Sequence, residues 1–339
     1  MKNNIWIYLL IGCILWNCKE NESNEQPDEK ESTQPLVKTP AFNEDTAYYY
    51  IEKQLSFGPR VPNSEAHQAC ATYLLETLDQ MGAAIEVQNF TVTSYDQLEL
   101  QGKNIIASIN PEAEKRILLA AHWDTRRIAD KEKDEAKREQ PIDGANDGAS
   151  GVAVILEIIR TIQMAANKPQ VGIDVILFDL EDDGVPEGME YEGDNSETWC
   201  HGSRHWSNNK HRPNYTAYYG ILLDMVGGKG AKFKKEPYSM AYARGVVEKV
   251  WGIAQRLGYG NYFLNQTIQM PSGYGILDDH YFVNVDAKIP MIDIIDYDED
   301  FGDFHHTQED NITIIDKKTL KAVGQTVLQV IYQESAGFE

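Results

Sequence analysis

Acidic and histidine side chains stand at the ends of several apolar runs of the sequence. One run ends at His122 and Asp124, which are two residues apart and so project to the same side of an extended chain. A second run ends at Glu181 and Asp182, whose side chains diverge because the residues are adjacent. One carboxylate of this pair could therefore bind a metal ion while its neighbour faces a substrate.

Three further positions repeat the pattern. Asp147 lies in a glycine-rich loop before a predicted helix, Asp224 ends another apolar run, and His305 and His306 follow the last predicted strand. Singly, such an Asp usually caps a helix or a turn. Together they favour one shared site, because burying many carboxylates is costly unless a cation offsets their charge. His and carboxylate ligands without cysteine are typical of catalytic zinc, so the sequence predicts a zinc site.

The elements that must position these residues alternate between amphipathic helices and short apolar runs, which is typical of an α/β sheet covered by helices. Helices are predicted at 43–55, 64–81, 150–164 and 316–332, and strands at 85–92, 104–109, 117–121, 173–180, 218–224 and 289–295. No second linker or repeat follows residue 40, so one domain is expected. Ligands of such sheets bind beyond the carboxyl ends of the strands, where the acids and histidines stand.

Five short blocks resemble the zinc aminopeptidase and glutaminyl cyclase superfamily, in the order that the family has them. They are residues 121–126 (AHWDTR), 144–151 (GANDGASG), 178–183 (FDLEDD), 222–227 (LLDMVG) and His306-Thr307 followed by Asp310. The resemblance covers nearly all of residues 45–335. It implies an α/β fold of the phosphorylase/hydrolase-like, zinc aminopeptidase-like type, with a single mixed, mostly parallel sheet flanked by helices and a metal at its carboxyl edge.

Three segments resemble glutaminyl cyclases more than aminopeptidases. Residues 277–280 (LDDH) are similar to the cyclase Asp-Asp-His block, where aminopeptidases tend to carry Ser-Asp-His, and residues 200–206 (CHGSRHW) are similar to the cyclase Gly-Ser-Arg-His segment. Residues 122–147 resemble bacterial lipoprotein-type cyclases. The implied activity is that of a zinc-dependent glutaminyl-peptide cyclotransferase, which converts the N-terminal Gln of peptides and proteins to pyroglutamate and releases ammonia.

The resemblance also implies roles for individual residues. Asp147, Asp182 and His306 would hold one zinc ion per chain. Glu181 would be the proton shuttle. Asp224 and Asp279 would belong to the hydrogen-bond network beside it.

Two residues depart from the family pattern. Asp182 stands where the superfamily often has Glu, and His305 stands where animal cyclases have Trp. The second departure affects how the pocket wall is built. Trp199 or Trp123 could supply an aromatic wall, although packing in the core is the simpler role for either residue.

Two alternative functions share these residues. In a two-zinc exo-aminopeptidase, His122 and Asp224 would complete a second metal site, Asp147 would bridge the metals, and Glu181 would activate water for peptide hydrolysis. The other alternative is a binding lipoprotein that keeps the fold without catalysis. The intact Glu181 and the complete ligand set favour an enzyme.

The N-terminus is predicted to direct export. A positive Lys2 precedes an apolar run at 5–16, which is too short to span a bilayer but fits a secretory signal. Cys18 is the expected lipid anchor and Cys13 the alternative; secretion without lipid is a third interpretation. The predicted segments are a lipoprotein signal peptide at 1–17, a disordered acidic tether at 18–40 and the catalytic domain at 41–339. The protein is expected to face the periplasm, anchored to a bacterial membrane.

The charge and composition exclude other classes. The 339 residues carry a formal net charge of −22, which disfavours nucleic acid and anionic lipid, so membrane contact is expected through the N-terminal lipid alone. A hydrophobic share of 42% is ample for a packed core. A monomer is expected. Cys70 and Cys200 are interpreted either as a disulfide or as two buried thiols.

Overall fold

In the computed structural model, which describes residues 35–270 and 273–337, strands and helices alternate along the chain. The strands are β1 (Ala84–Thr93), β2 (Glu99–Ile109), β3 (Arg116–His122), β4 (Gly172–Phe178), β5 (Tyr219–Asp224), β6 (Phe233–Lys235), β7 (Phe263–Thr267) and β8 (Met291–Ile295). The helices are α1 (Glu44–Leu55), α2 (Glu65–Gln80), α3 (Ala149–Met164), α4 (His201–Asn208), α5 (Pro237–Arg256), α6 (Asp279–Phe282) and α7 (Lys317–Ala336).

One mixed sheet carries the site. Its strand order is β1-β2-β4-β3-β5-β8, and β4, β3, β5 and β8 run parallel to one another. Strand β2 is antiparallel to both of its neighbours, and β6 pairs with β7 apart from this sheet. The predicted single, mixed and mostly parallel sheet is confirmed. Because four strands are parallel, their carboxyl ends meet at one edge.

Both faces of the sheet are buried, which explains why the central strands are almost wholly apolar. Along β3, Ile117 and Leu119 pack into the larger hydrophobic core, which also holds residues of α1, α2, α3, α5 and α7. The intervening Leu118 and Ala120 pack on the opposite face with Trp206 of α4. Alternate side chains of one strand therefore belong to two layers, and the strand ends are free to carry polar residues.

The predicted elements match the observed ones, with differences at their ends. Strand β4 ends at Phe178, two residues before the predicted end, because Leu180 has a left-handed φ of 59° that turns the chain. Helix α5 was not predicted. Its N-terminal signals are nevertheless present, since Pro237 occupies the first turn and the Glu236 side chain accepts the backbone N–H groups of Tyr238 and Ser239.

The compact unit begins at Leu36, five residues before the predicted start of the catalytic domain. The backbone N–H of Val37 donates to Oε1 of Gln333, and Oγ1 of Thr39 donates to Oε1 of Gln329. The last five residues assigned to the tether therefore pack against α7. The signal peptide, both candidate lipid-anchor cysteines and the tether up to residue 34 lie outside the described residues. Within the described ranges, no helix combines the length and apolar character needed to cross a membrane.

Cys70 and Cys200 are two separate, buried free thiols. Of the two interpretations of these residues, the structure therefore supports buried thiols and not a disulfide.

Candidate active site

The predicted site residues meet at the carboxyl edge of the parallel strands. His122 is the last residue of β3 and Asp224 the last residue of β5. Glu181 and Asp182 follow β4 after the left-handed turn. Two longer connections bring Asp147, from the loop before α3, and His306, from the loop after β8, to the same place.

Three side chains converge as the resemblance implied for zinc. Nε2 of His306 lies 3.2 Å from Oδ1 of Asp182 and 3.9 Å from Oδ2 of Asp147. Oδ1 of Asp182 is buried and accepts no hydrogen bond from the described residues, although Nη1 of Arg126 lies 3.6 Å away. Since a buried carboxylate oxygen without a partner is costly, this donor set fits a divalent cation of the zinc type.

A second group of possible ligands adjoins the first. Nε2 of His122 lies 3.0 Å from Oδ1 of Asp147 and 3.3 Å from Oδ1 of Asp224, and all three residues are buried. Asp147 therefore belongs to both groups, with one oxygen facing each. The five residues that the two-zinc alternative needs as ligands therefore lie next to one another.

Burial sets the electrostatics of these ligands. Burial, reinforced by the nearby Asp147, raises the pKa of Asp182 well above its usual value. Burial also raises the pKa of Asp224 to about 7, against the hydrogen bond from His122 that lowers it. Burial lowers the pKa of His306 to about 3, so this imidazole is neutral, as a metal ligand must be.

Asp124 orients the loop after β4. Its carboxylate accepts the backbone N–H groups of Glu181 at 3.2 Å and of Asp182 at 3.3 Å, and lies 3.5 Å from Nδ1 of His122. The chain at Gly148 passes close by with a φ of 89°, and a Cβ there would lie 2.8 Å from the Asp124 carbonyl oxygen. Gly148 is therefore needed both for its backbone conformation and for space.

The loop that carries Asp147 is fixed from two sides. The buried Asp310 carboxylate accepts the backbone N–H groups of Asn146 at 2.7 Å and of Asp147 at 3.0 Å. The fully buried Arg60 guanidinium donates to the carbonyl oxygens of Trp123, Asp143 and Gly144. These contacts fix the ligand by its backbone and leave its carboxylate available.

Glu181 faces the cavity beside these ligands. Burial raises its pKa well above the usual value; the neighbouring His122 opposes that shift, and the charges of Asp278, Asp182 and Asp279 add to it. A carboxyl group in such surroundings holds a proton more readily than one in water, which suits a group that must accept and return a proton.

Of the two consecutive acids that begin α6, the structure places Asp278 on the cavity wall. Asp278 lies close to Glu181 and Cys200. Asp279 is fully buried, and its charge, like that of Asp278, adds to the burial that raises the pKa of Glu181. Asp278 therefore adds a second acid of this helix to the surroundings of Glu181, beside the Asp279 that the resemblance suggested.

The cavity has a volume of about 360 Å³, within the range of small-molecule sites. Its polar lining includes Glu181, Asp147, Asp224 and His306. Its apolar lining consists of Val185, Trp199, Met225, Met270, Ile276, Leu277, Ile295 and Phe301. A ligand with a polar head and an aliphatic stem fits this mixed lining.

Trp199 supplies the aromatic wall, and Trp123 does not. The Trp199 ring is parallel to that of His306, at an interplanar angle of 10° and a centroid distance of 5.9 Å. Gly184 makes room for this ring, since a Cβ there would lie 1.8 Å from it. Trp123 is fully buried and stacks on His67 outside the cavity. Packing in the core, the simpler role for both tryptophans, therefore holds for Trp123 alone.

His305 lies at the cavity with its ring against Phe301, at a centroid distance of 4.4 Å. Nζ of Lys131 lies 2.9 Å from its Nδ1. Burial, with the adjacent His306, lowers the pKa of His305 well below its usual value, so the ring is neutral and accepts from Lys131. The position that is Trp in animal cyclases thus still contributes a flat ring to the wall.

Several contributors to the site were missed by the sequence reasoning. Asp310 appeared there only as part of a family block, and Arg60 was given no role. Cys200 was considered as a disulfide partner, whereas its thiol lies 3.2 Å from Oε1 of Glu181. Spacing alone gives no signal for such contacts, because each joins segments that are distant in sequence.

Comparisons with known proteins agree with this geometry. The sequence profile described as peptidase family M28 matches residues 104–331. A glutaminyl-peptide cyclotransferase of Dictyostelium discoideum is 24% identical over 94% of this chain and 93% of its own length.

Two crystal structures are similar at higher identity. A Tannerella forsythia glutaminyl cyclase is 52% identical with a TM-score of 0.81, covering 86% of this chain and 99% of that one. A Zn-dependent exopeptidase from Parabacteroides distasonis is 49% identical with a TM-score of 0.83, covering 87% of this chain and 99% of that one. The family profile spans more than half of the chain, and the chain therefore belongs to peptidase family M28, in agreement with the superfamily resemblance of its sequence blocks.

Proposed function

We propose that this protein is a zinc-dependent glutaminyl-peptide cyclotransferase, which acts on peptides and proteins with an N-terminal Gln. The observation that carries the proposal is the position of Glu181 in the cavity, between the convergent ligand side chains and Asp278. The similarity to glutaminyl cyclases at up to 52% identity supports it. A proton-holding carboxyl next to a second acid suits a reaction in which protons must be moved between two nitrogens of the same substrate residue.

Asp147, Asp182 and His306 would hold the zinc ion, one per chain. Bound there, zinc supplies Lewis-acid polarisation of the substrate carboxamide and stabilises negative charge on its oxygen.

Glu181 carries the proton chemistry. Its carboxylate accepts a proton from the α-ammonium group, so the free amine can attack the side-chain carbonyl carbon of the same Gln. A carbon–nitrogen bond forms within the ring as the α-nitrogen loses its second proton, and the bond to the side-chain nitrogen breaks. Glu181 passes its proton to the departing nitrogen, and the two protons lost by the α-nitrogen leave with that nitrogen as ammonium. Because nucleophile and electrophile belong to one residue, a folded-back pose supplies much of the rate.

The apolar residues of the cavity would hold that pose. Trp199, Ile276 and Leu277 line the same cavity as the acids and would contact the aliphatic part of the Gln side chain. Their burial of the substrate excludes water, which would otherwise compete as a nucleophile.

A two-zinc exo-aminopeptidase is the second candidate function. The observation that favours it is the buried group of His122, Asp147 and Asp224, which offers a second set of metal ligands next to the first. In that reaction, Glu181 would take a proton from water. A binding lipoprotein without catalysis would leave Glu181 without a role.

One experiment distinguishes the three functions. The purified chain is analysed for zinc and offered glutaminyl and leucyl amide substrates in parallel. We expect one zinc per chain and ammonia release from the glutaminyl substrate alone. Two zinc ions with cleavage of the leucyl substrate would indicate the aminopeptidase, and the absence of both activities would indicate the binding protein.

Replacing Glu181 by Gln tests the proton shuttle. The amide keeps the size of the side chain but cannot accept the proton, so we expect turnover to fall by at least a hundredfold while zinc content stays at the wild-type level. Zinc analysis and an ammonia assay on the same sample measure both quantities. A variant with wild-type turnover would refute the role of Glu181.

We further propose that the mature protein is a monomer, exported and attached to a bacterial membrane facing the periplasm through a lipid on Cys18. The proposal rests on the N-terminal sequence, where the polar tether begins directly after this residue. Cys18→Ala is expected to move the protein from the membrane fraction to the soluble fraction, whereas Cys13→Ala leaves it in place. The reverse result would assign the anchor to Cys13, and release by neither variant would exclude a lipid anchor.

A further inference from the structure

Cys200 contacts the side chain that the proposed reaction depends on. It precedes α4, and its Sγ lies 3.2 Å from Oε1 of Glu181 with the thiol as donor. Its backbone N–H donates to the Glu181 carbonyl oxygen at 3.0 Å. One residue therefore holds Glu181 at both its backbone and its carboxylate.

The backbone of Cys200 is in an unusual conformation. Its φ of 57° and ψ of 37° are left-handed, a region that residues with a Cβ rarely adopt. Such conformations persist where the surrounding structure holds them in place, and they concentrate at active sites. Here the conformation occurs at the residue whose thiol contacts Glu181.

The other groups around Glu181 are occupied elsewhere or are acids. Nε2 of His122 lies against Asp147 and Asp224, Asp278 and Asp182 are carboxyl groups, and Asp124 reaches only the Glu181 backbone. Across the residues that the structure describes, the Cys200 thiol is the side-chain donor to the Glu181 carboxylate. Removing it would leave that carboxylate among other acids without a bond to fix its orientation.

We propose that Cys200 is a positioning residue, whose neutral thiol donates to Glu181 and orients its carboxylate for proton transfer. This inference rests on the proposed cyclotransferase function and adds a residue to it. Burial, followed by the charge of Glu181, raises the pKa of Cys200 well above its usual value, so the thiol keeps the proton that it donates.

Cys70 provides a matched comparison. It is a fully buried free thiol like Cys200, but it lies on α2 in the hydrophobic core, and burial raises its pKa to about 12. From this position, we expect Cys70 to contribute only to packing of the hydrophobic core. Substitution of Cys70 therefore controls for the general effect of losing a buried thiol.

The test compares Cys200→Ala, Cys200→Ser and Cys70→Ala in the full-length, zinc-loaded protein. We expect Cys200→Ala to lower kcat about tenfold or more, as loss of a hydrogen bond to a charged group does, with unchanged KM and zinc content. Cys200→Ser retains a donor and should recover most of that loss. Cys70→Ala should leave kcat and KM unchanged. If Cys200→Ala does not fold, Cys200→Gly, which accepts the left-handed backbone, replaces it.

Two results would overturn the proposal. One is a wild-type kcat in the donor-free variant. The other is an equal loss in Cys200→Ser and Cys200→Ala that follows their loss of thermal stability, since that would indicate a structural role. If the wild-type protein itself releases no ammonia from glutaminyl peptides, the proposed function fails instead, and the two failures are thereby distinguished.

Discussion

Negative charge buried at one edge of a sheet is the constraint on which the rest of this structure depends. The acids that share the edge are Asp124, Asp147, Asp182, Asp224, Asp278, Asp279 and Asp310, each no more than 8% exposed. Carboxylates that lie this close together and are buried from water are tolerated only with hydrogen-bond donors, protons or a cation. The parallel strands bring these carboxylates together, and the loops must supply groups that compensate their charge.

The acids divide according to how they are satisfied. Asp124 and Asp310 accept backbone N–H groups, so they fix the loops that carry Glu181, Asp182 and Asp147. Asp182 instead keeps an oxygen without a donor among the described residues. Asp124 and Asp310 therefore position the loops of the site, whereas Asp182 leaves negative charge available to a metal ion. Glu181 is held by a thiol, which leaves it able to exchange a proton.

The sequence predicted what depends on local pattern, namely the six strands of the main sheet, the helices α1, α2, α3 and α7, and the acids and histidines at the strand ends. It did not indicate that Asp278 lies on the cavity wall, because the directions of the Asp278 and Asp279 side chains depend on the first turn of α6. It did not find the contact of Cys200 with Glu181, because 19 residues and a left-handed turn separate them. It did not decide between Trp199 and Trp123 for the aromatic wall for a related reason: the space beside Gly184 that receives Trp199 exists only in the folded chain.

The most direct test of this account compares the unfolding temperature of the zinc-loaded protein with that of the chelator-treated protein. The comparison is made at pH 5.5 and again at pH 8. Burial raises the pKa of Asp224 to about 7 and that of Asp182 above its usual value, so the zinc-free fold takes up protons. The free energy of unfolding that these protonated carboxyl groups contribute is therefore lost as the pH rises through these values. Zinc replaces those protons, so the account predicts a larger stabilisation at pH 8. Equal stabilisation at both pH values, or none, would contradict it.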